Sequence, residues 1–358
     1  MNTFPPLAWI VSLGLAALAL TSGRASASLP EPLDAEERAT AAADYQRYCA
    51  LCHGDDRQGY AADNAPSLRS HALIASGGPG YLYAATHYGR PGTAMAAYGQ
   101  AFGGPMDPAT IFKLARWLVE QSGVDELLAL PREPVKGDIA AGAALYASHC
   151  ASCHGDRGEG KEAPALAHPM FLASASDAFI RHAIAEGRDG TPMTGYRDSL
   201  DEMQINALTA FLRSRAPGWD APNVALRAPP EPDAYVLNPT GENPDFALRE
   251  GRFVAAEAVE RALREGRRMV LLDARAMSDW QRAHIPGAVP MPYYTEPERI
   301  IADLPGDGTW IIVYCACPHA ASGRVVDALR ANDVPNTAII DEGIIVWTQR
   351  GYPIQAGW

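Results

Sequence analysis

Two pentapeptides of one pattern, Cys49-Ala50-Leu51-Cys52-His53 and Cys150-Ala151-Ser152-Cys153-His154, constrain this chain more than anything else in it. Each opens the same ordered series of short signatures. After the first come Ala65-Pro66-Ser67-Leu68, then Gly89-Arg90 with Met95 six positions on, then Asp107-Pro108 at the head of an apolar stripe. After the second come Ala163-Pro164-Ala165-Leu166, Gly187-Arg188 with Met193, and Asp201 at the head of another stripe. The order is kept and only loop lengths differ, so one small unit occurs twice. The motifs use four of the six cysteines, leaving Cys315 and Cys317.

In C-x-x-C-H, two thiols can add to the vinyl groups of one haem while the adjacent histidine gives an axial nitrogen to iron. A zinc site needs four ligands, and no second Cys or His pair follows at finger spacing. A redox thiol pair or a disulfide needs no histidine. The expectation is therefore two covalently bound haem c groups, one on Cys49, Cys52 and His53, the other on Cys150, Cys153 and His154. The sixth ligand follows from register. With Gly89-Arg90 set against Gly187-Arg188, Met95 falls on Met193, whereas Met106, Met203, His87 and His182 find no counterpart. Met95 and Met193 are the expected iron ligands, and a thioether opposite imidazole raises the haem potential. Tyr98 and Tyr196 also recur, to bond a propionate or to pack.

Both copies read as helical at their ends with Gly- and Pro-rich loops between. Asp107 is an expected N-cap with Pro108 in the first turn, and Ile111, Leu114 and Leu118 follow on one face. Asp201 caps the matching helix, with Ile205, Leu208 and Leu212. Such small units have thin cores, and a haem would supply apolar mass. At 358 residues the chain has room for more. Residues 216–246 are proline-rich, a semi-rigid linker or an arm laid across a neighbour. Beyond them, short apolar runs such as Met269–Asp273 and Trp310–Tyr314 alternate with helical patterns, which means an α/β unit with a mostly parallel sheet.

At the amino end, the apolar stretch from Leu7 to Leu20 precedes Ala25-Ser26-Ala27, a small-x-small cleavage pattern. Residues 1–27 are expected to be a signal peptide and the protein to be periplasmic, with an uncleaved anchor as the alternative and no transmembrane span in the mature chain. A net charge of −12 argues against non-specific nucleic-acid binding and suits basic redox partners such as a cytochrome or an oxidase.

On these motifs the two copies resemble class I cytochrome c domains, over residues 35–123 and 135–215. The resemblance implies that the carbonyls of Pro66 and Pro164 accept the Nδ1 protons of His53 and His154, fixing ring orientation and basicity. Residues 251–356 resemble the rhodanese family: Asp273 and Arg275, the His284-Ile285-Pro286-Gly287-Ala288 turn, Cys315 after an apolar strand, and Gly343 with Trp347. In that family the loop cysteine carries a persulfide, which implies that Cys315 accepts sulfur.

One departure stands out. The family's loop runs from cysteine through four residues to Arg and then Ser or Thr. Here Ser322 lies seven after Cys315, and Ala320 or Ala321 occupies the Arg position, so the cation for an anionic donor, or for a phosphatase's phosphate, is missing. His319 or Arg324 is left to replace it. Backbone N–H groups at the helix start are expected to lower the thiol pKa. Cys315 and Cys317 are both candidate catalytic thiols; strand position favours Cys315, with Cys317 as a resolving thiol. The whole reads as two small all-α cytochrome c domains followed by an α/β rhodanese-like domain. Its expected work is electron transfer coupled to chemistry on a small sulfur compound. The rival is an electron carrier of a dehydrogenase or oxidase chain with an inert rhodanese-like docking module.

Overall fold

The computed structural model describes residues 26–220, 223–316 and 319–356. Cys317 and residues 1–25 of the expected export segment lie outside the described residues. Among the described residues no helix is long and apolar enough to cross a membrane.

Each N-terminal copy is a small helical body. In the first, helix Ala35–Tyr48 runs into the short helix Ala50–His53, and Pro108–Ser122 closes the unit. In the second, Ile139–His149, Ala151–His154 and Glu202–Ser214 repeat this. The expected caps are present: Asp107 accepts from the Thr110 N–H, and Asp201 forms a reciprocal capping box with Gln204. Ile111, Leu114 and Leu118 are buried, as are Ile205, Leu208 and Leu212. Each copy also has a middle helix, His71–Tyr88 and Asp177–Glu186, where loops were expected. Ser76-Gly77-Gly78-Pro79-Gly80 hides the first, because Gly78 turns at φ +58° and kinks it.

The copies pack by exchanging like contacts. Ser70 and His168 occupy the same register position and each caps the next helix of its own copy. Asp189 of the second copy bonds Ser70 Oγ (2.8 Å) and the backbone N–H groups of His71 and Ala72 (2.9 Å each). In return, Nε2 of His168 lies 3.0 Å from the carbonyl of Pro91, the counterpart of Asp189. Between these contacts Tyr81 stacks on its own register mate, Phe179, with centroids 4.7 Å apart. Equivalent surfaces meeting in this way form an approximate two-fold, the geometry of an isologous dimer within one chain.

The C-terminal unit is a sheet between helices. Its strands are labelled β1 (Val236–Leu237), β2 (Phe253–Val254), β3 (Met269–Asp273), β4 (Val289–Pro290), β5 (Trp310–Tyr314) and β6 (Thr337–Ile340). The order is β1-β3-β5-β6-β2, with β4 also against β3, and every pairing is parallel except β1 with β3. The core strands are buried on both faces, which explains their unbroken apolar runs.

One correction concerns residues 216–246. The end of this stretch belongs to the sheet, since β1 is its antiparallel edge and Tyr235 is buried. A two-residue strand is too short to show a period. The rest is an arm laid across neighbours. Gln281 exchanges two hydrogen bonds with the backbone of Arg227 (2.8 and 2.7 Å), and Trp219 meets the ring of Tyr88 edge-on.

Candidate functional site

In both C-x-x-C-H motifs a single helical turn follows the first cysteine, which separates it from the helix before it. Nδ1 of His53 lies 2.8 Å from the Pro66 carbonyl, and Nδ1 of His154 lies 2.8 Å from that of Pro164. A carbonyl only accepts, so Nδ1 carries the proton and Nε2 presents its lone pair. Burial pushes both imidazoles below their usual pKa, which keeps the neutral, ligating form. Burial also pushes the Cys49 and Cys52 thiols up to about 12 and Cys150 up to about 11. Thioether formation would take these groups out of acid–base equilibrium.

Met95 and Met193 sit in identical turns. Each backbone N–H bonds a threonine hydroxyl two residues earlier (Thr93, Thr191; 3.1 Å), and each carbonyl accepts from the matching arginine N–H (Arg90, 2.7 Å; Arg188, 2.8 Å). Both glycines before those arginines have positive φ, and a Cβ on Gly89 would lie 2.3 Å from the Ala96 backbone. Both methionines are half-buried, whereas Met106 is fully buried in the first core and Met203 is 78% exposed. The tyrosines three residues on do not wait for a propionate. Tyr98 bonds the Tyr48 carbonyl (3.0 Å) and Tyr196 that of His149 (2.9 Å), the residue before the first motif cysteine in each copy.

Cys315 follows β5, and helix Ala320–Ala331 begins after the loop. Its Sγ lies 3.2 Å from Ser322 Oγ. The loop is held from behind: Ile344 N–H bonds the Cys315 carbonyl (3.0 Å), and Gly343, at φ +65°, passes so close that a Cβ would meet Ala316 O at 2.6 Å. Asp273 bonds Arg275 through both carboxylate oxygens and also accepts from Tyr314 OH (2.9 Å). The pair the sequence singles out thus braces the strand that carries the cysteine. His319 turns to Asp341, with Nε2 3.3 Å from Oδ1, and Arg324 is exposed, so neither supplies the missing cation to Cys315.

The expected low thiol pKa is overturned. Burial pushes Cys315 up, and Asp63 adds to the rise. The Ser322 hydroxyl and the backbone N–H groups of Ser322 and His319 pull it down, so the cradle exists, but burial outweighs it.

Cys315 belongs to the core of its own domain, and the first helical copy covers it from one side. Cys315 and Cys52 line one cavity of about 40 Å³ with Asp63, Tyr98, Tyr293 and Asp279. Tyr98 and Tyr293 share a 2.8 Å hydroxyl contact, Ser278 Oγ bonds the Ala97 carbonyl, and Arg47 reaches Glu296 (2.9 Å). Leu51, inside the first motif, packs into the core behind Cys315.

Against known proteins, the family model for cytochrome c oxidase, cbb3-type, subunit III matches residues 36–118 and 137–212, and that for the rhodanese-like domain matches 255–350. The chain joins two cytochrome c domains to a rhodanese-like domain. The N-terminal domains are similar to the cbb3-type cytochrome c oxidase subunit FixP of a Bradyrhizobium species, at 30% identity over 48% of this chain and 58% of that protein. They are also similar to dihydro-heme d1 dehydrogenase of Pseudomonas aeruginosa, at 37% identity over 27% of this chain and 20% of that protein. The rhodanese-like domain is similar to one from Anabaena solved by NMR, at 26% identity over 30% of this chain and 80% of that one, with a TM-score of 0.28. The chain spans only about three-fifths of the cbb3-type relatives it matches.

Cytochrome c domains imply covalently bound haem c, and these residues fit it. The thiols lie on one turn beside an imidazole whose free nitrogen is unprotonated. Nη1 of Arg90 is buried without a partner, and a haem propionate is an anion that such a nitrogen lacks. Among the described residues no three His, Cys, Asp or Glu side chains converge as a metal cluster.

Sequence reasoning missed three things. Tyr45 and Tyr146 each bond the carbonyl of the glycine after the motif (Gly54, 2.7 Å; Gly155, 2.8 Å), and their common spacing from the motif was the available signal. Asp63 lies in a loop longer by three residues in the first copy than in the second, a difference visible on alignment. The docking of the first domain on the thiol loop left no trace in the sequence.

Proposed function

We propose that this protein is a periplasmic dihaem electron carrier whose rhodanese-like domain handles sulfane sulfur at Cys315. The supporting observation is the shared cavity: Cys52, a haem-attachment residue in this reading, and Cys315 line the same small space. Cys49, Cys52 and His53 would hold one haem c with Met95, and Cys150, Cys153 and His154 the other with Met193. The groups supply one-electron acceptance at a potential raised by thioether ligation. The chain's own part is to keep each imidazole neutral and aimed through Pro66 and Pro164, and to hold the thiol buried beside the first domain. Redox partner proteins, such as a cytochrome or an oxidase, are the expected acceptors.

A second reading has its own support. Cys315 is only 4% exposed and its pKa is raised, which suits a docking module that no longer reacts on an electron carrier of a dehydrogenase or oxidase chain. Replacing both Cys315 and Cys317 by Ser separates the two. If sulfur chemistry feeds electrons in, haem reduction by polysulfide or sulfide falls about tenfold or more in the double variant, a loss of at least about 1.4 kcal/mol in the barrier. Unchanged reduction leaves the docking module.

A further inference from the structure

We infer that redox partner proteins dock on the second helical copy, on the face formed by Ser152, Thr194, Tyr196 and Arg197, and that the rhodanese-like domain closes the same face of the first copy to them. The inference rests on the electron-carrier reading above and not on the sulfur chemistry.

The two copies present one face in two conditions. In the first copy, Leu51 packs into the rhodanese-like core, Ser278 Oγ bonds the Ala97 carbonyl, and Tyr293 meets Tyr98. Ala276 in turn is buried among the core side chains of that copy. Ala96, Ala97, Tyr98 and Gly99 are all buried. In the second copy their register mates Thr194, Gly195 and Arg197 are exposed, with Tyr196 half-buried, and Ser152 and Cys153 of the motif are exposed as well. Haem would bear on both copies alike, so it does not account for the difference.

The side chains differ in the same sense. Leu51, Ala96 and Gly99 of the closed face correspond to Ser152, Thr194 and Arg197 of the open one. Small or apolar residues suit a permanent interface, and polar ones suit a surface that partners join and leave. Arg197 is paired with Glu186 and adds no unbalanced charge. Cys153 and the turn that holds Met193 open on this face. The occupant is therefore an electron-accepting protein whose own redox centre lies near its surface.

The second copy can serve as the way out for both sites, because hydrogen bonds join the first motif to it. Ala62 N–H donates to the Cys52 carbonyl (3.3 Å), Asn64 Nδ2 to the Lys161 carbonyl (3.2 Å), and Ala163 N–H to the Cys153 carbonyl (3.1 Å). Ala62 and Asn64 lie in the loop that is three residues longer in the first copy. Electron tunnelling falls off less steeply through such bonded runs than across gaps. Each encounter passes one electron, lost by the second copy and gained by the docked protein, with no bond made and no proton moved.

The probe is a blue-copper protein, oxidised for electron transfer and zinc-substituted for binding. Holoprotein reduced chemically, so that no sulfur donor is involved, is titrated with the zinc form while its backbone amide resonances are followed. The expected shifts lie at Ser152, Thr194, Tyr196 and Arg197 and not at Ala96, Ala97 or Tyr98. Ser152→Trp and Thr194→Trp, each with both sulfur–iron bands intact, should slow reduction of the copper form about tenfold more than reduction of ferricyanide, which is too small to need a docking face. Shifts on the first copy's face, or none on the second, overturn the inference, and so does equal slowing with both oxidants. Shifts of the same amides with holoprotein concentration alone would make the face a contact between copies of this chain and overturn the partner. Failure of the starting protein to show two haems would instead strike the carrier reading.

Discussion

Tyr98 and Tyr293, from different domains, share a 2.8 Å contact between their hydroxyls, and both hydroxyls also reach the carbonyl of Tyr48. Two protons serve three contacts, so one of the three is made without a proton of its own. Tyr196, the register mate of Tyr98, makes only the bond within its own domain. The rhodanese-like domain has thus been joined to a bond that every copy of the repeat makes, and only the first copy carries it.

Tyr293→Phe should therefore cost about 1–2 kcal/mol, because a buried hydroxyl and carbonyl lose a shared partner. It should also loosen the lid over Cys315. Thermal unfolding would show the first effect, and faster alkylation of Cys315 at unchanged pH the second. A stable variant with unchanged alkylation would mean that this contact does not hold the domains together.

The methionines should divide by role. Met95→Ala and Met193→Ala should each remove the long-wavelength sulfur–iron band of one haem and lower its potential. Met106→Ala should keep both bands and lose about 2–5 kcal/mol of stability, because it leaves a hole in a closed core. Absorption spectra and melting curves of the three variants test this together. Persistence of both bands in Met95→Ala or Met193→Ala would sink the ligand assignment for that site.

The sequence was most legible where one chemistry imposes a fixed spacing. The histidine–proline contacts, the capping aspartates and the apolar stripes all follow from local rules repeated twice, and the repeat itself sorted Met95 and Met193 from Met106 and Met203. The α/β alternation was equally plain, because β3, β5 and β6 are buried on both faces. The middle helix of the first copy was hidden by Gly77, Gly78 and Pro79, which argue locally for a loop while packing favours a kinked helix. Strand β1 was too short to show a period. The pKa of Cys315 was misjudged because an N–H cradle is a local property, whereas burial is set by the whole fold, including a domain more than two hundred residues away in the chain.

Gly343→Ala tests the support behind the thiol loop. The residue sits at φ +65°, and an added Cβ would strike the Ala316 carbonyl oxygen at 2.6 Å. The left-handed backbone alone costs a side chain about 1–2 kcal/mol, and the clash must push the loop as well. Lower stability together with altered Cys315 alkylation is the expected outcome. Lower stability with unaltered alkylation would show that the strain is relieved away from the loop.

The last prediction follows from the raised Cys315 pKa. A thiol that holds its proton more tightly in the fold stabilises the fold fully below the free thiol value of about 8.5. That contribution falls as pH rises from there through the folded value, because the unfolded chain releases the proton first. In Cys317→Ser holoprotein, alkylation of Cys315 should therefore be slow at neutral pH and reach its midpoint above about 8.5. Melting temperature should fall over the same alkaline range, and Cys315→Ser should remove that part of the fall. The two measurements have one cause and should move together. A midpoint below the free value would mean that the N–H groups of His319 and Ser322 outweigh burial, and would restore the nucleophilic thiolate that the sequence led us to expect.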